Sequence, residues 1–537
     1  MRRWRQALGP VTAVAALWLP FVPSADPASH DLVADLRPPA IMLAALTLVA
    51  LLSLMRRPLR PVLRWILAAF IVAAASLQFA SALVLRVFDR GLDLYFDIPQ
   101  VPSLVGLFSD AVGPVRAASA FALAFAALIG LVAAVAWALA AAERALAPRW
   151  RAEAVLGLAL AGLALGVLPL RAGARPVADE GAAAVADQAA LIYRSAMVMS
   201  GHDPRYDAAL AAPEPKVADL AALRGHDVFL VFVESYGTAV FDNPRFRAVA
   251  APALREFAAA TQRAGYQLVS NRLVSPVFGG GSWLAHGTLE SGIKLDRFLY
   301  RFLLESRRET LARYLHAAGH QTVAVMPGIK KPWPEGAFFG FERSYFAANL
   351  GYRGPPFGWF TIPDQYTFAR FDAAELKPGH APLFAEIVLV SSHTPFAPVP
   401  PYVAQWRDAG SYKSISQPTW KRIYREPDWQ HLEVPYLATI AYDLKTLAGW
   451  LDRLEGAPLV IILGDHQPPG IVSGATSPWT VPVHVLSRDP ALIAPFRRLG
   501  YVDGAFPPAD GKVKGMESFL GDFLAGFSRG GAARAGL

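Results

Sequence analysis

The 537-residue chain has no cysteine, which excludes disulfide frameworks, cysteine-ligated zinc and thiol catalysis together. Any metal must be held by His, Asp, Glu or hydroxyl oxygens. Charge is also scarce: 18% of residues are Asp, Glu, Lys or Arg, against about 25% in an ordinary soluble domain. The net charge of +8 fits membrane topology better than a nucleic-acid groove, so no nucleic-acid partner is expected. There is no G-x-x-x-x-G-K-[ST] phosphate loop, which removes one common catalytic design. What fills the chain instead is apolar: 54% of residues, above the roughly 45–50% of average proteins.

That surplus sits at the front. Five windows, at about 7–24, 40–55, 62–86, 118–142 and 153–171, carry almost no charge and approach the roughly 20 residues needed to cross a bilayer. They predict a membrane region of five transmembrane helices over residues 1–171. The first also has the form of a signal peptide, with Arg2, Arg3 and Arg5 before it and Val22-Pro23-Ser24-Ala25 at its end. Those arginines, Arg56, Arg57, Arg60 and Arg64, and Arg144, Arg149 and Arg151 all fall on one side, which the positive-inside rule makes cytoplasmic. The loops holding Asp26, Asp31 and Asp35, and Asp89, Asp93, Asp97 and Asp110, then face outward with everything after the fifth helix. With an Ala- and Arg-rich composition pointing to a high-GC bacterium, the expected place is the inner membrane, with the C-terminal half in the periplasm.

Residues 172–222 read as a juxtamembrane linker with surface helices, and 223–537 as an extracytoplasmic catalytic domain. In the latter, short apolar runs alternate with helical stretches: DVFLVFVE ends at Glu234, TVAVMPG at Gly328, PLFAEIVLVSSH at His393 and PLVIILGDH at His466. Continuous Val/Ile/Leu runs imply strands covered on both faces, hence an α/β fold with a mostly parallel sheet between helices. In such sheets the ligand crevice lies outside the carboxyl ends of the strands, which brings Glu234, His393, Asp465 and His466 to one edge. Adjacent Asp465 and His466 on a Gly/Pro-stiffened turn can present an oxygen and an imidazole to one cation.

Gly279-Gly280-Gly281-Ser282 opens a helix-like stretch, placing a hydroxyl at a helix N-terminus. Ser282 is then either a helix cap or a nucleophile activated by a bound metal. Lys330, Lys331 and Arg272 can bind phosphate oxygens or simply be solvated. His286, one turn past Ser282, lines the site or sits on a helix surface. His484, in VPVHV, is a core residue or a ligand.

FVESYG, the Gly-rich turn with its hydroxyl, SSHTPF and LGDHQPP together resemble the alkaline phosphatase and sulfatase superfamily. Within it, five helices followed by an outward domain resemble the lipoteichoic acid synthase-like phosphoglycerol and phosphoethanolamine transferases. The resemblance implies an alkaline phosphatase-like fold and one divalent cation, Mn²⁺ or Zn²⁺, held by Glu234, Ser282, Asp465 and His466. It further implies Ser282 as nucleophile, His393 meeting the substrate phosphate and Trp333 touching the head group. Ser282 lacks the Pro and Arg that follow a formylglycine precursor, which disfavours that sulfatase chemistry. The implied partners are the membrane, a phospholipid donor, phosphatidylglycerol or phosphatidylethanolamine, and an envelope glycan acceptor. Two alternatives share these residues: a membrane-bound phosphodiesterase or sulfatase-type hydrolase, and a non-catalytic lipid-binding regulator.

Overall fold

The computed structural model describes residues 12–25, 32–167, 177–201, 204–211 and 219–528, apart from 332, 359, 361, 407–411, 413–430, 475 and 511–512. Arg2, Arg3, Arg5, Asp26 and Asp31, and the ends of the first and fifth apolar windows, lie outside the described residues. The chain divides into two compact units, Met1–Gly201 and His202–Leu537.

The first unit is helical. Its helices Ala40–Leu54, Pro61–Phe88, Pro114–Ala145 and Arg149–Val167, with the shorter Thr12–Phe21, fall on all five apolar windows. Among the described residues, two helices, Pro61–Phe88 and Pro114–Ala145, are long and apolar enough to cross a membrane, against the expectation of five. The reason is length and charge. Ala40–Leu54 has 15 residues, about 22 Å at 1.5 Å per residue, short of a hydrocarbon core of roughly 30 Å. Arg149–Val167 takes Arg149, Arg151 and Glu153 into its first turns, and the end of its apolar window lies outside the described residues. Phe121, Leu123, Phe125 and Ile129 of Pro114–Ala145 are exposed, so the helix shows apolar side chains outward as well as inward.

The second unit is built on a nine-stranded sheet. Its strands are β1 (Val228–Val233), β2 (Gln267–Val274), β3 (Gln321–Met326), β4 (Arg343–Phe346), β5 (Leu383–Leu389), β6 (Leu459–Gly464), β7 (Thr480–Ser487), β8 (Val502–Asp503) and β9 (Lys514–Gly515). The order is β8-β2-β7-β6-β1-β5-β3-β4, with β9 on β2. The predicted parallel arrangement holds for β6, β1, β5, β3 and β4. β7 runs antiparallel between β2 and β6, so the sheet as a whole is mixed. β6 and β7 are joined by residues 465–479, which open with Asp465-His466-Gln467 and include the four-residue helix Gly470–Ser473.

β1 is central and wholly buried because its side chains alternate between two apolar layers. Phe229, Val231 and Val233 pack under the helices Pro244–Arg263 and Glu433–Leu451, and Val228, Leu230 and Phe232 under Ser282–Ser291, Leu311–Ala317 and Ser518–Phe527. This three-layer packing pins the register of β1 on β6, with Val233 opposite Gly464. Glu234 and Asp465, the next residue on each strand, emerge side by side.

Candidate active site

Glu234, Asp465 and His466 are brought together at the carboxyl end of β1 and β6, with one ligating atom from each lying within 4.8 Å of the others. Two close backbone approaches make this possible. A Cβ at Gly464 would clash with the Tyr236 carbonyl, and one at Gly237 with the side chain of Gln467. Gln467 is itself fixed: its Nε2 donates to Pro478 O at 2.8 Å and Thr480 O at 3.0 Å, and its Oε1 accepts from Ala239 N at 3.2 Å. Ser235 takes a left-handed φ of 57°, held by Tyr436 Oη donating to its carbonyl at 2.9 Å.

Asp465 and His466 each have one side tied to the fold and one side turned to the cluster, and Glu234 Oε1 accepts from Ser235 Oγ at 2.9 Å. Asp465 Oδ1 accepts from Ser235 N at 2.8 Å and His466 N at 2.7 Å, while its Oδ2 is buried with no hydrogen-bond partner. His466 Nδ1 donates to Gln467 O at 2.7 Å, which leaves Nε2 facing Glu234 Oε1 at 3.3 Å and Asp465 Oδ2 at 3.6 Å. Burial and the Glu234 charge push Asp465 up to about 6. Burial works against charge on His466, but the Asp465 and Glu234 carboxylates outweigh it and raise the imidazole above its ordinary value. Two acids and an imidazole forced together in a dry site suit a cation.

The fourth member arrives from the Gly-rich turn. Gly279, Gly280 and Gly281 all adopt positive φ, at 67°, 152° and 86°, conformations that L side chains rarely adopt. Gly281 caps the Ser282–Ser291 helix, so Ser282 is its first residue and makes no cap hydrogen bond. Instead Ser282 Oγ donates to Glu234 Oε2 at 3.2 Å and lies 3.2 Å from His466 Nε2.

Ser282 and Glu234 open onto a cavity of about 280 Å³, also lined by His393, His286 and Trp333 and walled by Tyr300, Phe339, Phe341 and Phe360. Burial pulls His393 down to about 4; its Nδ1 contacts Thr394 O at 2.6 Å and its ring stands edge-on to Phe360. His286 stacks on Phe232 at 3.9 Å and meets Glu386 Oε1 at 2.8 Å.

Four predicted residues are not brought to this cavity. Arg272 is committed to Asp242 through two hydrogen bonds of 2.6 and 2.8 Å. Lys330 and Lys331 are exposed outside the lining. His484 is a core residue, with Nδ1 2.7 Å from Ser270 Oγ and Nε2 3.1 Å from Tyr236 Oη. Conversely, Glu290 and Glu386 line the cavity and were missed by sequence reasoning. The signals existed: Glu386 is the one charge in the run LFAEIVL, and Glu290 lies eight residues past Ser282 on the same helical face.

His484 gives a pH test of the fold. Burial lowers it from 6.5 to about 3, so the unfolded chain binds its proton first as pH falls. Stability from this group is complete above about 6.5 and is lost as pH drops toward 3, at up to about 1.4 kcal/mol per pH unit. Thermal unfolding midpoints measured from pH 7 to 4 should fall, and less steeply for His484→Gln.

The second unit is thus an α/β domain whose strand ends carry a hydroxyl, two carboxylates and an imidazole in one cluster. No protein-family model matches the chain, and no curated protein matches it by sequence. Among solved structures it is similar to the lipoteichoic acid synthase LtaP from Listeria monocytogenes, with 12% identity over 59% of this chain and 75% of that one, at a TM-score of 0.37. It is also similar to the Streptococcus pyogenes phosphoglycerol transferase GacH in complex with sn-glycerol-1-phosphate, with 11% identity, 61% and 90% coverage and a TM-score of 0.35. A third is the C-terminal periplasmic domain of phosphoethanolamine transferase EptC from Campylobacter jejuni, with 14% identity, 57% and 90% coverage and a TM-score of 0.36. At such low values the chemistry must be argued from the site itself.

Proposed function

We propose that this chain is a membrane-anchored, metal-dependent phosphotransferase that moves a phosphoglycerol or phosphoethanolamine head group from a phospholipid to an envelope glycan through a covalent Ser282 intermediate. One observation carries the reading: Ser282 Oγ lies 3.2 Å from both Glu234 and His466, at the mouth of a cavity large enough for a head group. The residues fit one divalent cation. Asp465 Oδ2 is an orphaned buried oxygen of the kind a cation satisfies, and a set of carboxylates, imidazole and hydroxyl without thiolate suits Mn²⁺ and Zn²⁺ alike. When bound, a divalent cation supplies the positive charge that favours ionised Ser282 and neutralises a phosphate oxygen.

The remaining work falls to the chain. Glu234 Oε2 accepts the Ser282 hydroxyl and orients its oxygen beside the cavity. Attack of that oxygen forms a Ser282 O–P bond and breaks the P–O bond to diacylglycerol. His393, with Nδ1–H donating to Thr394 O, takes up a proton at Nε2 when an anion enters and can deliver it to the leaving oxygen. An acceptor hydroxyl then attacks phosphorus, giving its proton to His393 Nε2, and the Ser282 O–P bond breaks to return the ionised serine. The two long apolar helices support anchoring next to a lipid donor, with the catalytic unit on the periplasmic face.

Purified full-length protein with Mn²⁺ or Zn²⁺ should release diacylglycerol from phosphatidylglycerol or phosphatidylethanolamine. Chelation should cut the rate at least about 100-fold and metal addition restore it. Cleavage of a soluble diester but neither lipid would refute the donor. Release of free head group, with no glycan product when acceptor is present, would make the protein a hydrolase.

A further inference from the structure

The reaction above leaves three polar side chains of the cavity unused. The Ser282–Ser291 helix carries Ser282, His286 and Glu290 at four-residue intervals on one face, and β5 brings Glu386 against them. Glu290 and Glu386 are each 1% exposed and lie against one another, while Glu386 Oε1 contacts His286 Nδ1 at 2.8 Å. Glu290 lines the cavity; its Oε2 accepts from Ala312 N at 3.0 Å, and its Oε1 is buried and meets no hydrogen-bond partner. His286 Nε2 is likewise buried without a partner. With Nδ1–H donating to Glu386, the neutral ring presents Nε2 as an acceptor.

The unsatisfied atoms at this end of the cavity are therefore acceptors, among the aromatic faces of Tyr300, Trp333 and Phe339. A fitting guest carries several donors, no acceptor and positive charge. A primary ammonium has those properties, and aromatic faces attract cations. A glycerol end is neutral and offers the two buried acids no counter-charge. Burial pushes Glu386 up to about 8 and Glu290 above the usual carboxylate range, an expense that a cation beside them removes. One helical turn, about 5.4 Å, separates Ser282 from His286, comparable to the reach from a serine-bound phosphate to an amine two carbons beyond it.

Resting on the reading of Ser282 as the attacking residue, we infer that Glu290, Glu386 and His286 form a subsite for the primary ammonium of a phosphoethanolamine group, so that the donor is an ethanolamine phospholipid. The test is calorimetric titration of full-length Ser282→Ala protein, Zn²⁺-loaded, with O-phosphoethanolamine and with glycerol phosphate. The amine should bind about 10- to 100-fold more tightly. Glu290→Gln or Glu386→Gln in that background should bring the preference below about 3-fold. Equal affinities in the Ser282→Ala protein, where neither acid is altered, overturn the inference, as does a preference for glycerol phosphate. Lipid cleavage by wild type separates the two readings. Amine preference with neither lipid cleaved keeps the subsite and sinks the transferase; equal binding with both lipids cleaved does the reverse.

Discussion

Ser282→Ala protein is expected to release no diacylglycerol above background, a loss of about 10⁴-fold or more, with its fold intact. Among the described residues the serine hydroxyl is the one alcohol oxygen with a hydrogen-bond contact to both Glu234 and His466, so no described neighbour can take over bond formation to phosphorus. Its removal deletes two long hydrogen bonds at the mouth of a cavity and leaves the Gly281 cap untouched, so the unfolding midpoint should move by no more than about 2 °C. Mass spectrometry after incubation with membranes supplies the direct readout. Wild type should carry a head-group phosphate on Ser282 and the variant none. Turnover within about tenfold of wild type would eliminate Ser282 as nucleophile.

Asp465→Asn should empty the metal site without unfolding the domain. The two oxygens of Asp465 do different jobs: Oδ1 accepts from Ser235 N and His466 N, and Oδ2 faces the cluster unpaired. Asparagine keeps the first as an amide oxygen and replaces the second with an NH₂ that can only donate. Elemental analysis should find about one divalent ion per wild-type chain and less than about 0.1 in the variant, with activity down at least about 100-fold. Asp465→Ala should lose the metal too, but also leaves two buried N–H groups unpaired, at about 1–3 kcal/mol each. Full metal content in Asp465→Asn would disprove the ligand assignment.

The site was legible where chemistry coincided with a local pattern. Uninterrupted apolar runs marked β1, β3, β5 and β6, and polar residues at their ends marked Glu234, His393, Asp465 and His466, because buried parallel strands deliver their ends to one edge. The Gly-rich turn marked Ser282 because a hydroxyl after three glycines, opening a helix-like stretch, falls at a helix N-terminus. What stayed hidden depends on partners distant in the chain. Arg272 looks like an anion binder until Asp242, thirty residues upstream, is seen to take both of its terminal nitrogens. Glu386 looks like a solvated charge until its strand is found wholly buried, facing a helix almost one hundred residues earlier. In the first unit, apolar windows located the helices, yet hydropathy alone did not show that Arg149, Arg151 and Glu153 would be wound into the last of them.

The in-register pairing of Val233 with Gly464 makes the sheet a ruler for the chemistry. Neighbouring strands stand about 4.8 Å apart, and two oxygens gripping one ion from opposite sides need nearly that span, so the ladder itself sets the bite of the two acids. Inserting a single residue into either strand would turn one carboxylate toward the opposite layer. Such a protein could stay folded and inert, its calipers jammed by one notch.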